Sequence, residues 1–182
     1  MVMVLIAFLL ALSFGAYTAV VQSAALTTSA QMIQDILNEA HQNAMAQNTT
    51  VEVRIYDLPP QPGLPPVYAT LQLHWLKADG STPPVETPLF LPASVVIDAT
   101  ATHSSLIAAN NQAATPDVTD KRLNSQTRVF HFLPDGSTDL SPATKWFLTI
   151  RAETQSDPAH FPSNWASIEI DPTTGRGQIY RP

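Results

Sequence analysis

The stretch VMVLIAFLLALSFGAYTAVVQSAALTTSAQMIQDILNEAHQNAMAQ (2–47) decides the fold. Its front half is apolar and uncharged; the first acid in the chain is Asp35 and the first base is Arg54. Wound as a helix, residues 1–21 span about 31 Å, close to the ~30 Å hydrocarbon core of a bilayer. Gln22 and Ser23 mark a change of solvent. Beyond them Leu26, Ala30, Ile33, Leu37, Ala40 and Ala44 recur at alternating steps of four and three, which lines them along one helix face. Gln34, Asp35, Asn38, Glu39, Gln42 and Asn43 fill the opposite side. No proline or charge interrupts the junction, so 2–47 reads as one continuous helix, with Asn48 and the paired threonines as its stop.

Working outward, everything downstream is strand-like. VEVRIYD (51–57) alternates Val51, Val53 and Ile55 with Glu52, Arg54 and Tyr56, the period-two pattern of a half-buried strand. LPPQPGLPP (58–66) is compatible only with a loop. Further strands are expected at 67–79, 87–92, 94–98, 128–134, 145–153, 164–171 and 177–182. PDGS (134–137) and TTGRG (173–177) supply tight turns. Residues 99–126 are polar, Ala-rich and aperiodic, and read as a long loop with a helical turn near 104–109. The expected class is α+β: a long N-terminal helix packed on an antiparallel β body of about eight short strands. Two small sheets forming a sandwich fit this pattern best, with a single sheet as the alternative.

The totals restrict function. The chain has 182 residues, of which only 13% are charged, and a net charge of −6. An acidic surface disfavours nucleic-acid binding, which draws its affinity from Lys and Arg. The absence of cysteine removes disulfides, thiol catalysis and Cys-based zinc sites. The five histidines, at 41, 74, 103, 131 and 160, have no ligand spacing such as His-x-x-x-His. His74 and His131 fall in alternating strands, on a polar face. Ser137 and Asp135 belong to a turn, which explains them without a catalytic triad. Asp117 and Asp120 lack the dense oxygen spacing of a calcium loop. Trp75, Trp146 and Trp165 lie in strand patterns, as core or interface residues. No enzyme, metal or cofactor is expected.

Three runs carry a resemblance: LTTSAQMIQDILNEAHQNAMAQNTTVEVRIYD (26–57), RVFHFLPDGSTDL (128–140) and NWASIEIDPTTGRGQIYRP (164–182). In this order, behind an apolar helix, they resemble the type IV pilin-like proteins, most closely the H-type minor pseudopilins of type II secretion and the FimT-like minor pilins. VEVRIYDLP, FLPDGSTDL and KWFLTI look like the subgroup called Verru_Chthon cassette protein D. Members of the family carry a basic leader ending in Gly, a cleavage point, then Phe and a Glu within the apolar helix. No prepilin cleavage site is present here, and the sequence is expected to begin several residues inside the mature helix.

The resemblance implies three parts: a transmembrane and filament-core half helix (1–25), an amphipathic half (26–48) and a globular pilin-like domain (49–182). It implies a minor subunit that waits as a single-pass protein in the bacterial inner membrane, β domain in the periplasm, and then enters a pilus or pseudopilus near its tip. Its partners would be other pilin or pseudopilin subunits. Val4, Ile6, Phe8, Leu9, Leu12 and Phe14 would exchange lipid for protein contacts, and Ala7, Ala11, Gly15 and Ala19 would allow close helix packing. Leu26, Ala30, Ile33, Leu37, Ala40 and Ala44 would seat the helix on the body. Two alternatives stand beside this reading. One is a secreted or anchored β-sandwich binding protein with 1–25 as signal or anchor. The other is a DNA-uptake minor pilin using Arg176 and Arg181, for which the surrounding Glu153, Asp157, Glu169 and Asp171 leave only weak contact with nucleic acid.

Overall fold

The computed structural model describes residues 2–58, 66–108, 127–154 and 163–182, with side chains of the first helix described from Val20 onward. Helix α1 runs Val2–Gln47 without a break, about 69 Å at 1.5 Å per residue. It ends where the sequence supplies a left-handed residue: Asn48 has φ 48°, and Asn tolerates that region because its short amide bonds locally. The Thr49 N–H donates to the Ala44 carbonyl at 3.2 Å and the Asn48 N–H to the Met45 carbonyl at 3.4 Å, the paired bonds of a Schellman cap. The chain is thereby reversed into the first strand three residues later.

Eight strands follow: β1 Val51–Leu58, β2 Val67–Trp75, β3 Leu89–Phe90, β4 Val95–Ile97, β5 Thr127–Phe132, β6 Trp146–Ala152, β7 Trp165–Ile170 and β8 Gly177–Tyr180, with a short helix α2 at Ser105–Ala108. The expected sandwich is corrected: the strands form one sheet, ordered β5-β1-β2-β4-β6-β7-β8 with β3 paired to β2. All pairs are antiparallel. The sheet nevertheless has a seam, because β2 meets β4 at the single pair Tyr68↔Ile97. Past β3 the Leu91 N–H still bonds the Ala69 carbonyl at 2.9 Å, and a turn closed by Val95 N–H to the Pro92 carbonyl at 2.8 Å leads into β4. A second hydrophobic sheet is unnecessary because the helix itself covers the inner face.

That cover is the core. Leu26, Ala30, Ile33, Leu37, Ala40 and Ala44 are each at most 2% exposed, and Ile36 joins them. They meet Val51, Val53 and Ile55 of β1, Leu71 and Leu73 of β2, Phe130 and Phe132 of β5, Leu148 and Ile150 of β6, and Ala166, Ile168 and Ile170 of β7 in one cluster. Burial of each larger side chain contributes about 1.5–3 kcal/mol. The three stripe alanines let the backbone of a curved sheet approach closely. Neighbouring strands twist by roughly 20–25°, and over this path the far strands rotate past the first ones. The turn after β5 consequently meets the β7–β8 turn above the helix: the Thr138 N–H donates to the Pro172 carbonyl at 2.8 Å.

Glycine is required at that meeting point. Gly175 has φ +64°, and a Cβ there would lie 2.5 Å from the Gly136 carbonyl oxygen and 2.8 Å from the His41 ring. Gly80, with φ +79°, has nothing within 4 Å of such an atom. Gly175→Ala should therefore cost about 2–4 kcal/mol, combining the left-handed backbone with overpacking, whereas Gly80→Ala should cost about 1 kcal/mol. Thermal unfolding of the full chain in detergent measures both, and equal losses would contradict the closure over His41.

Candidate functional site

The outer face of β5-β1-β2 carries polar side chains that the sequence pattern placed in solvent. They are buried instead: Glu52 is 7%, Arg54 2%, Gln72 5% and His74 0% exposed. The expectation of a half-buried β1 is thus corrected. The chain between β2 and β3 returns antiparallel along the edge of β2, with Val85 N–H bonded to the Leu73 carbonyl at 2.8 Å, Trp75 N–H to the Pro83 carbonyl at 2.9 Å and a bridge at His74↔Pro84. Buried polar groups need partners, and register supplies them. Glu52 stands between His74 on β2 and His131 on β5, and Tyr56 between Thr70 and Thr127.

A connected network results. His131 Nδ1 lies 2.6 Å from Asp139 Oδ2, and His131 Nε2 lies 3.1 Å from Glu52 Oε2. The second Glu52 oxygen accepts from Arg54 Nε, and the Arg54 guanidinium also donates to Thr82 Oγ1 at 2.8 Å. His74 Nδ1 lies 2.8 Å from the Thr82 carbonyl, so it carries the proton; Nε2 then accepts from the Tyr56 hydroxyl at 3.3 Å. Tyr56 shares its hydroxyl with Gln72 Oε1 at 3.3 Å, and Gln72 Nε2 donates to the Glu86 carbonyl at 3.1 Å. An imidazole held between two carboxylates favours its charged form. Asp139 and then Glu52 raise the His131 pKa to about 9 against the opposing effect of burial. Burial alone would raise the Glu52 carboxyl, but the bonds from His131 and Arg54 hold it below its ordinary value.

Both His131 nitrogens are engaged in this way, which makes the cluster a clamp between β5, β1 and the turn that follows β5. A second clamp sits at the far side of the sheet. Asp98 accepts from Arg151 Nε at 3.0 Å and faces His103 Nδ1 at 3.1 Å. It also takes the Thr100 N–H at 2.8 Å. Ser104 Oγ accepts the Thr149 N–H at 3.0 Å, tying α2 to β6.

The remaining sequence candidates separate clearly. His41 stacks edge-on against Phe132 with ring centroids 5.9 Å apart. Trp146 is buried, and Trp75 and Trp165 are half-buried. The Ser137 hydroxyl donates to Asp135 at 2.6 Å inside its turn, far in role from a nucleophile. Arg181 bonds Thr27 and Asn164, tying the C-terminus to the helix, while Arg176 lies exposed on the β7–β8 turn. His160, Asp117, Asp120 and Asp157 lie outside the described residues, as do the side chains of Val4, Ile6, Ala7, Phe8, Leu9, Ala11, Leu12, Phe14, Gly15 and Ala19. Among the described residues no group of three His, Asp or Glu side chains is placed to hold a metal. Among them also no helix is long and apolar enough to cross a membrane. Val20 and Val21, where description begins, are 67% and 48% exposed.

Sequence reasoning missed the clamp. Its signal was the facing pair of alternations Glu52-x-Arg54-x-Tyr56 and Gln72-x-His74, which put complementary polar groups side by side. The return beside β2 adds partners to them, Thr82 for Arg54 and His74 and the Glu86 carbonyl for Gln72.

No family model matches the chain, and no curated protein matches it. Among solved structures it is similar to the minor pseudopilin EpsH from the type II secretion system of Vibrio cholerae. One crystal structure of that protein aligns over 89% of this chain and 96% of its own, with TM-score 0.53 and 15% identity. A second aligns over 86% and 95%, with TM-score 0.49 and 15% identity. The likeness is one of fold, a long helix laid on an antiparallel sheet.

The His131 clamp has a pH signature. A folded pKa near 9 against 6.5 for free histidine means that its stabilisation is complete below about pH 6.5 and is lost as pH rises through about 9. It is on the order of 2–3 kcal/mol. The difference in melting temperature between the native chain and His131→Gln should be largest at pH 6 and shrink toward pH 9.5. A difference independent of pH over that range would show that His131 is not charged in the clamp.

Proposed function

We propose that the chain is a minor pilin-like subunit, a pseudopilin in a type II secretion-like or related filament, that assembles through α1. The observation that carries this reading is the mismatch between helix and body. The helix is 46 residues long, but its buried contacts with the sheet begin at Leu26, and Val20 and Val21 stand exposed before it. The apolar residues upstream need another cover, either lipid or equivalent helices. The fold shared with a minor pseudopilin supports the same reading. Resemblance of 51–59, 132–140 and 145–150 to the Verru_Chthon cassette protein D subgroup narrows it further.

In this reading residues 1–25 form the membrane and filament-core half, 26–48 the seat of the body, and 49–182 the exported domain. Before assembly the chain spans the inner membrane once, with the domain in the periplasm. Withdrawal of Val4, Ile6, Phe8, Leu9, Leu12 and Phe14 from lipid is offset by packing against neighbouring helices of equal apolarity. Ala7, Ala11, Gly15 and Ala19 permit close approach. The role is structural, and the body's buried polar groups serve to hold its shape while the helix changes surroundings.

The full chain should remain in the membrane pellet after carbonate extraction. Ala11→Asp, at about 2.5–3.5 kcal/mol for a central charge, should release most of it. Because the chain has no cysteine, Val20→Cys should give disulfide-linked products containing a pilin-like subunit with a cysteine at the equivalent helix level, identified by mass spectrometry. A soluble native product with a mature end near Ala24 or Ala25 would overturn the reading in favour of a secreted β-domain.

A further inference from the structure

The two ends of the body differ in what they expose. At the end where α1 stops, the turns are polar and closed on themselves. The Ser81 N–H donates to Asp79 Oδ1 at 2.8 Å, the Ser137 N–H to Asp135 Oδ1 at 2.9 Å and the Thr173 N–H to Asp171 Oδ1 at 2.9 Å. The opposite end lies beside the start of the helix seat. There Arg181 bonds Thr27, whereas four residues earlier the Gly177 carbonyl accepts from Gln34 Nε2 at 3.1 Å. β8 therefore runs back along α1 toward the segment from which the apolar half emerges.

Register carries that end across the sheet. The row Tyr68↔Ile97↔Ile150↔Ala166 lies one residue beyond the Ser167↔Tyr180 pair, and Val95↔Ala152 lies further out still, where the 92–95 turn closes. Among the described residues the exposed large apolar side chains are Val20, Val21, Met45, Phe90 and Tyr180. All but Met45 lie toward this end. Single apolar residues on a surface need no explanation, but their gathering at one place does. Phe90, 49% exposed, also walls a groove of about 230 Å³ with Leu58, Val67, Leu91, Ala93 and Val95. Glu153 is the one charged residue among those lining it.

We infer that this end of the body is a foot that rests on a zwitterionic lipid surface, with Phe90 and its groove at the boundary between headgroups and acyl chains. The inference rests on the membrane-spanning reading of α1. Thr27 stands five residues past Gln22, about 8 Å at 1.5 Å per residue. The headgroup layer is roughly 5–8 Å deep on each side of the hydrocarbon, so the helix delivers this end into it. A body tied to the helix at that height has its apolar end covered by what already surrounds it. Interfacial contact of this kind grows with the apolar area buried. Tyr180 suits the same layer, since its ring is apolar and its hydroxyl stays wet. A net charge of −6 and Glu153 on the groove disfavour anionic headgroups, which leaves the zwitterionic ones.

The chain has no cysteine, so nitroxide labels can be placed singly through Leu12→Cys in the apolar half, Ala93→Cys beside the groove and Ala78→Cys at the polar end. The full chain is reconstituted at low density in phosphatidylcholine vesicles. Each label is read by its collisions with oxygen, which concentrates in lipid, and with a nickel chelate, which stays in water. The oxygen-to-nickel ratio at Ala93 should exceed that at Ala78 several-fold. Phe90→Glu should return it to the Ala78 value while melting within a few degrees of the native chain. A water-like label at Ala93 with a lipid-buried label at Leu12 would overturn the foot and leave the membrane reading of α1 standing. A water-like label at Leu12 as well would overturn both. A ratio at Ala93 unmoved by Phe90→Glu would overturn the assignment to Phe90 and its groove. A label there shielded from both reagents would overturn it too, by making this end a contact between copies of the chain.

Discussion

The whole molecule depends on a helix surface narrow enough to be wrapped. The stripe Leu26–Ala44 alternates large side chains with Ala30, Ala40 and Ala44. Leu26, Ile33 and Leu37 fill space between strands, and the alanines let the backbone close in. A stripe of leucines alone would hold the sheet off and flatten it, because a flat sheet is what a thick spacer allows. Curvature in turn brings the 134–137 and 172–176 turns together over His41. The only side chain that fits between their backbones at Gly175 is a hydrogen atom. One pattern in the helix thus dictates the shape of strands far away in sequence.

The helix also substitutes for strand pairing. β2 and β4 share one pair, and a sheet joined so sparingly would part easily if nothing lay beneath the seam. Residues on both sides of it, Leu71 and Leu73 on one and Ile97 and Ile150 on the other, belong to the same cluster as Ile33 and Leu37. The halves are coupled through the helix more than through each other. On the outer side the His131–Glu52–Arg54 clamp secures the first half and the Asp98–Arg151 pair the second. Each half is locked to its own loops and both are locked to α1.

Much of this was legible because it rests on periodicity. The helix bounds, the eight strands, the two tight turns and the turn of helix near 105 all follow from short-range pattern and turn chemistry. What was not legible depends on a loop's return path. Glu52, Arg54 and Tyr56 have the look of a solvent face, yet all three are buried in the folded chain. Whether the strands form one sheet or two was equally hidden, since antiparallel neighbours at short spacing fit either arrangement. The decisive contact there is one backbone pair between Tyr68 and Ile97, which no side-chain pattern encodes.

A buried ionic network suits this body better than a second apolar layer. An apolar outer face on β1 and β2 would be covered equally well by any greasy loop, by a neighbouring chain or by lipid. A network of Glu52, Arg54, His74 and His131 accepts one arrangement of its neighbours, since a displaced Thr82 or Asp139 leaves charges and donors without partners at about 1–3 kcal/mol or more each. For a domain joined to an apolar helix, that selectivity keeps the two hydrophobic surfaces from competing. Among the described residues the large apolar side chains left exposed are few: Val20, Val21 and Met45 on the helix, and Phe90 and Tyr180 on the body.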